Sequence, residues 1–188
     1  MRYLSILFLF LLMMQPLQAA VSQPPDDQLR ELLREAVNSS DSFADRFEAE
    51  VWLLDMSQRL EPAVPEDEDR LRLLKMIHYE ATRADLPPEL VLAVIQVESY
   101  FDRWAISGSG AQGLMQIMPF WLNEIGHPED NLFHIQTNLR MGCTILKYYL
   151  DMERGDLTRA LGRYNGSLGK FRYPNKVFEA LRTRWYRQ

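Results

Sequence analysis

Leu86-Pro87-Pro88-Glu89-Leu90-Val91-Leu92-Ala93-Val94-Ile95-Gln96-Val97-Glu98-Ser99-Tyr100-Phe101 is the stretch on which the fold turns. Two prolines suit the first turn of a helix, where a missing N–H has no partner to lose and the fixed φ is already helical. The residues after them are apolar almost all the way round, the pattern of a helix enclosed by protein on most sides. Glu98 falls near its end, on the face shared with Val91, Val94 and Ile95. A carboxyl group there loses water to its neighbours and faces the negative end of the helix dipole, and both effects favour the neutral form. Those are the conditions for a general acid. The competing reading is a structural ion pair, with Arg103 five residues on as the partner.

Outward from this helix the chain reads as mainly α. On its N-terminal side, Arg70 to Arg83 carries Leu71, Leu74, Ile77, His78 and Ala81 on one stripe. Before that, Glu61-Pro62-Ala63-Val64-Pro65-Glu66-Asp67-Glu68-Asp69 is a Pro-rich acidic connector, with no glycine-kinked loop to suggest calcium. Ser42 or Asp41 opens a helix with Phe43, Phe47, Val51, Leu54 and Leu60 on one side, plus Trp52 and Met56. Asp26 or Asp27 opens another through Leu29, Leu32, Leu33 and Val37. On the C-terminal side, Thr137 or Asn138 is a candidate cap for a helix through Leu139, Cys143, Leu146, Tyr149 and Leu150, ending at Gly155. Asp156 caps a short helix up to Tyr164, and a last one starts near Pro174 or Asn175 and carries Val177, Phe178, Leu181 and Trp185. Neither a strand pair nor an internal repeat stands out.

Composition narrows the function classes. A chain of 188 residues, 47% hydrophobic and 25% charged, suits a soluble globular protein with one core. Arg2, the apolar run Tyr3 to Met14 and the exit Gln15-Pro16-Leu17-Gln18-Ala19-Ala20 have the layout of a secretory signal peptide, so residues 1–20 read as a leader and the protein as periplasmic or secreted. The run is too short to span a bilayer, for which about 20 apolar residues are needed. Loss of Arg2 with the leader changes the formal charge from −5 to −6, which argues against nucleic acid or an anionic membrane as a partner. A single cysteine, Cys143, forms no internal disulfide. His78, His127 and His134 lack metal-ligand spacing. Gly108-Ser109-Gly110-Ala111-Gln112-Gly113 matches the dinucleotide fingerprint in letters, but no strand precedes it, and its glycines read better as a loop bending close to a ligand or to the Glu98 helix. No cofactor or metal is expected.

Glu98-Ser99, Ser107, Gly110-Ala111-Gln112-Gly113-Leu114-Met115-Gln116-Ile117-Met118-Pro119 and Tyr164-Asn165-Gly166, in that order, resemble the motif set of the soluble-type lytic transglycosylases, lysozyme-like enzymes that cleave bacterial peptidoglycan. The similarity runs from about Leu71 to Leu181. It implies a lysozyme-like transglycosylase domain over residues 71–188, behind an N-terminal helical extension and acidic linker over 21–70. It further implies Glu98 as catalytic acid and base, Ser107 as a helper beside it, and Gln116, Met118, Tyr164 and Asn165 as substrate-binding groups. The chain departs from the family pattern at Arg163-Tyr164-Asn165-Gly166-Ser167, where Ala-Tyr-Asn-Ala-Gly is common, and at Phe120-Trp121, where Thr-Ala usually follows Met-Pro. Asp102, one helical turn past Glu98, would share its side of the helix and not face it, so a second carboxylate is lacking. That absence fits a mechanism in which the substrate's N-acetyl group stabilises the charge and a 1,6-anhydro sugar forms. The alternatives are a goose-type-lysozyme-like muramidase that uses water, or a non-catalytic peptidoglycan-binding scaffold. Glycan strands are the expected partner of a monomer, with any cell-wall machinery partner left open.

Overall fold

The computed structural model describes residues 31, 42–127 and 129–186. The expected leader and, apart from Glu31, the helix expected from Asp26 or Asp27 lie outside the described residues. Seven α-helices follow among the described residues: α1 Arg46–Leu60, α2 Asp67–Arg83, α3 Pro88–Glu98, α4 Trp121–Ile125, α5 Ile135–Met152, α6 Leu157–Tyr164 and α7 Arg172–Ala180, which runs into a π-helical turn, Leu181–Trp185. Extended pairing among them is limited to two isolated bridges, Ile106 to Gln112 and Gln112 to Ile117. None of these helices is long and apolar enough to cross a membrane.

The central helix is α3. Pro88 stands in its first turn, and every residue from Leu90 to Ile95 is buried. It packs against α2 on one side and against α7 and the π turn on the other. Burial on all sides explains why its sequence shows no polar stripe.

The acidic connector is shorter than its composition suggests, because Asp67, Glu68 and Asp69 form the first turn of α2. Acids are favoured there by the helix dipole, so the helix starts a turn earlier than its apolar stripe. Arg70 is buried and fully engaged. Its Nε donates to Ser57 Oγ (2.9 Å), its Nη1 to the carbonyls of Val64 (2.7 Å) and Pro65 (2.6 Å), and its Nη2 pairs with Asp67. One cation thus closes the proline-rich bend between α1 and α2.

The stripe expected on α1 needs correction. Phe47 is 76% exposed and Val51 39%, while Ala49, Trp52, Leu53, Met56 and Leu60 face the core. Asp45 caps the helix by accepting from Glu48 N, so Phe43 precedes it and cannot set its phase. Phe43 instead stacks on His78 at 3.5 Å, and Trp52 meets the same imidazole edge-on. Burial there pushes the His78 pKa down to about 4. The face of α1 that enters the core joins the same buried cluster as α3. A reciprocal clamp fixes its far end: Arg59 donates to the Arg184 carbonyl and Arg184 to the Arg59 carbonyl, both at 2.6 Å.

Two further starts move. Helix α5 begins at Ile135 after His134, so Thr137 and Asn138 lie inside it and cap nothing. Helix α7 begins at Arg172, which places Pro174 within the first turn, where its missing N–H leaves no bond unmade. Asp156 does cap α6, accepting from Arg159 N at 3.0 Å. Cys143 is buried, and burial pushes its thiol up to about 12, so it serves as a small apolar side chain.

Candidate active site

Helix α3 delivers Glu98 as its last residue, and the chain then reverses sharply. Tyr100 (φ 53°) and Phe101 (φ 68°) are both left-handed, a conformation non-glycine residues hold only when their surroundings enforce it. Burial of the Phe101 ring edge-on against Trp185, 5.6 Å between centroids, supplies that constraint. Ser99 ties the helix end to the following loop by donating from Oγ to the Leu114 carbonyl at 2.8 Å.

The loop from Asp102 to Pro119 is held from below by α5. Asn138 is buried; its Oδ1 accepts from Met115 N (2.8 Å), and its Nδ2 donates to the carbonyls of Gln112 (2.9 Å) and Leu132 (2.8 Å). Gly113, at φ +76°, lies so close that a Cβ there would sit 2.3 Å from Asn138 Nδ2. Of the two close approaches the sequence suggested, to a ligand or to the Glu98 helix, Gly113 makes neither: it lies against α5 and the Leu132 carbonyl. Gly142 on α5 leaves room for Met115 in the same way.

Glu98 is partly buried, and removal of water pushes its pKa up from the ordinary 4.5 to about 7. Two groups pull the other way. Tyr173, on α7, donates its hydroxyl to Glu98 Oε1 at 2.6 Å, and the positive charge of Lys176 acts on the carboxylate. The result is a carboxyl group that can hold a proton or release it near neutrality. Arg103 does not pair with it: that guanidinium donates to the Phe133 carbonyl and lies over the Trp104 ring.

The pocket at Glu98 is lined by Val97, Asn165, Ser167, Lys170, Arg172, Tyr173 and Lys176, with no second carboxylate among them. Asp102 is exposed and accepts from Trp104 N at 2.8 Å in its own turn.

Of the expected site residues, Glu98 and Asn165 meet in this pocket. Tyr164 is near enough for Glu98's charge to raise its pKa, in addition to burial, and its hydroxyl donates to the Met115 carbonyl at 2.8 Å. Ser107, Gln116 and Met118 do not line the pocket. The Ser107 hydroxyl accepts from Ala111 N inside the loop, and the Gln116 amide donates to the carbonyls of Ala105 and Gly113, which leaves only its side-chain oxygen for a ligand. Met118 is half-buried.

Sequence reading overlooked Ser167 and three cations, Lys170, Arg172 and Lys176. A signal was present. Arg172 opens α7, where the dipole disfavours positive charge, and Lys176 follows at i+4 on the same face.

Comparison with known proteins places residues 75–184 in the family described as Transglycosylase SLT domain. The chain is 34% identical over 118 residues to a transglycosylase of Enterobacteria phage PRD1, an alignment covering 59% of this chain and 43% of that protein. It is 28% identical over 114 residues to membrane-bound lytic murein transglycosylase C of Photorhabdus laumondii, covering 52% of this chain and 32% of the relative. Among solved structures, the lytic transglycosylase Slt of Pseudomonas aeruginosa superposes with a TM-score of 0.47 at 22% identity, over 81% of this chain and 29% of that one. The chain thus spans less than half the length of the curated relatives it matches. With the family match extending over more than half of its residues, the chain belongs to the transglycosylase SLT domain family.

Proposed function

We propose that the protein is a peptidoglycan lytic transglycosylase that cleaves the β-1,4 bond between N-acetylmuramic acid and N-acetylglucosamine and leaves a 1,6-anhydromuramic end, with Glu98 as the single acid and base. The observation that carries this reading is a lone carboxyl group poised near pH 7 in a pocket without a second carboxylate. Hydrolases of either stereochemistry ordinarily need two.

In the first step Glu98 gives its proton to the departing glycosidic oxygen as the bond breaks, and the substrate's own N-acetyl oxygen takes up the positive charge on the sugar. Glu98, now ionised, then draws the proton from the muramic 6-hydroxyl, whose oxygen closes the 1,6-anhydro ring. Glu98 ends as it began, and no water is consumed. Tyr173 holds the carboxyl orientation through both steps. Asn165 supplies hydrogen bonds to the sugar in the pocket; Gln116, outside it, has its side-chain oxygen left for a more distant part of the glycan, and Tyr164 holds the Met115 backbone of that loop. An exported monomer acting on glycan strands completes the reading.

The test is the mass of the products from purified sacculi. Anhydro-ended fragments are expected; fragments heavier by one water would assign a hydrolase instead, and an absence of new ends would assign a binding scaffold.

Tyr173→Phe examines the inner working of the site. The lost hydrogen bond favoured the ionised carboxylate, so its removal raises the Glu98 pKa further, by about one unit for a charged hydrogen bond of roughly 1.5 kcal/mol. The first step needs the protonated acid, so the alkaline limb of kcat/KM, near 7 in the native chain, should move to higher pH. The rate at the optimum should fall about tenfold because the carboxyl is no longer held in place. A fall in rate with the limb unmoved would leave Tyr173 a structural role only.

A further inference from the structure

Helix α6 ends in a turn whose backbone is closely specified. Asn165 is its C-terminal cap and Gly166 follows at φ +69°, a left-handed position where a side chain would be strained. The bonds from Gly166 N to the Arg163 carbonyl (3.0 Å) and from Ser167 N to the Gly162 carbonyl (2.7 Å) complete a Schellman motif. That motif sets the side chains of Asn165 and Ser167 beside each other on the wall of the Glu98 pocket, where Ser167 Oγ donates to Asn165 Oδ1 at 3.1 Å. An asparagine amide can meet a ligand with its oxygen or with its two N–H groups. Here the oxygen is engaged, and Asn165 Nδ2 has no acceptor among the described residues, so the donors are what remain for the pocket. Glycine is common at the place of Ser167 in the motif this loop resembles, so the hydroxyl is this chain's own.

We infer that Ser167 is a positioning residue: its hydroxyl holds the Asn165 amide in the orientation that turns the Nδ2 donors toward an acceptor oxygen of the sugar beside Glu98. The inference rests on the transglycosylase reading, which supplies the sugar. Without the hydroxyl the amide can turn over about its last bond and present its oxygen instead, because that torsion is broad and roughly two-fold. Holding one orientation in advance removes an ordering cost from binding. The acceptor on the sugar is an acetamido carbonyl or a ring hydroxyl, both of which offer lone pairs to an N–H group.

The experiment measures binding, so that it stands apart from turnover. Glu98→Gln protein is titrated calorimetrically with tetra-N-acetylchitotetraose. Adding Ser167→Ala should weaken binding about fivefold, the share of one ordinary hydrogen bond. Ser167→Thr keeps the hydroxyl and should restore the affinity. Asn165→Ala should weaken binding at least as much as Ser167→Ala, and in that background the loss of the Ser167 hydroxyl should cost nothing further. This non-additivity separates positioning through Asn165 from a general effect on the loop. Equal affinity with and without the hydroxyl, the same penalty whether or not Asn165 is present, failure of threonine to rescue, or no binding by the Glu98→Gln protein itself each overturns the inference. The N-thioacetyl form of the oligosaccharide locates the acceptor, since sulfur is the weaker partner. A smaller Ser167→Ala penalty with sulfur supports the inference with an acetamido acceptor, and an unchanged penalty supports it with a hydroxyl acceptor. Failure of the transglycosylase reading would look different: wild-type protein would release no anhydro-ended fragments from sacculi, whatever the binding data show.

Discussion

Glu98→Gln should stop glycan cleavage, lowering kcat by about a thousandfold or more, at the upper end of what a positioned proton donor contributes. The variant should also be the more stable protein at alkaline pH. The folded-state pKa of Glu98 is raised, from 4.5 to about 7, so its favourable contribution to stability is fully present below 4.5 and is lost as pH rises through 7. The loss is on the order of 3 kcal/mol, from the linkage of roughly 1.4 kcal/mol per pKa unit. Glutamine does not titrate and can still accept from Tyr173, so it escapes that loss. Melting temperatures at pH 4.5 and pH 8 should show the variant gaining several degrees on the wild type at the higher pH. An inactive variant that melts lower at both pH values would be inactive through misfolding, and one that still releases anhydro-ended fragments would remove Glu98 from the chemistry.

This pairing of stability loss with catalytic poise accounts for what was legible in the sequence and what was not. The burial of Glu98 was readable because it depends on local spacing: α3 is apolar on nearly every side, and Glu98 is fixed on one of those sides by helical geometry. The place of Asp102 was misread: it was put on the Glu98 face of a continuing helix, whereas the helix ends at Glu98, the chain reverses through two left-handed residues, and Asp102 accepts from Trp104 N in its own turn. Tyr173 arrives from 75 residues away, and no periodicity announces which ring will reach which carboxyl. The gathering of Lys170, Arg172 and Lys176 at Glu98 is equally non-local, and a helix start read at Pro174 or Asn175 left Arg172 outside α7. The stripe on α1 misled because Phe43 was counted in phase with a helix it precedes. Once Asp45 is recognised as the cap, Ala49, Trp52, Leu53, Met56 and Leu60 form the i, i+3, i+4, i+7, i+11 series that a core-facing helix requires.

Asn138 poses the sharpest case of a residue whose letter is uninformative and whose position is decisive. An asparagine in a helix start reads as a cap, yet here it lies inside α5 and holds three main-chain groups of two different loops. Asn138→Ala would leave the Met115 N–H and the Leu132 carbonyl without their partner, in a place where water cannot easily replace it, while the Gln112 carbonyl would keep only the bond it accepts from Ile117 N. At about 1 kcal/mol or more for each of the two buried groups left unmade, plus a small cavity, the expected loss is roughly 3 kcal/mol. For a chain of this size that corresponds to a fall in melting temperature of about 10 °C. The damage should be concentrated in the Gln112–Ile117 loop, because α5 keeps its own hydrogen bonds and its packing on α2 and α6. Amide exchange should therefore quicken at Met115 and its neighbours while α3 stays protected. Substrate affinity should fall as well, since Gln116 and the Met115 carbonyl held by Tyr164 both belong to that loop. Uniform loss of protection across α3 and α5 would instead make Asn138 a general core residue, with no special hold on the loop.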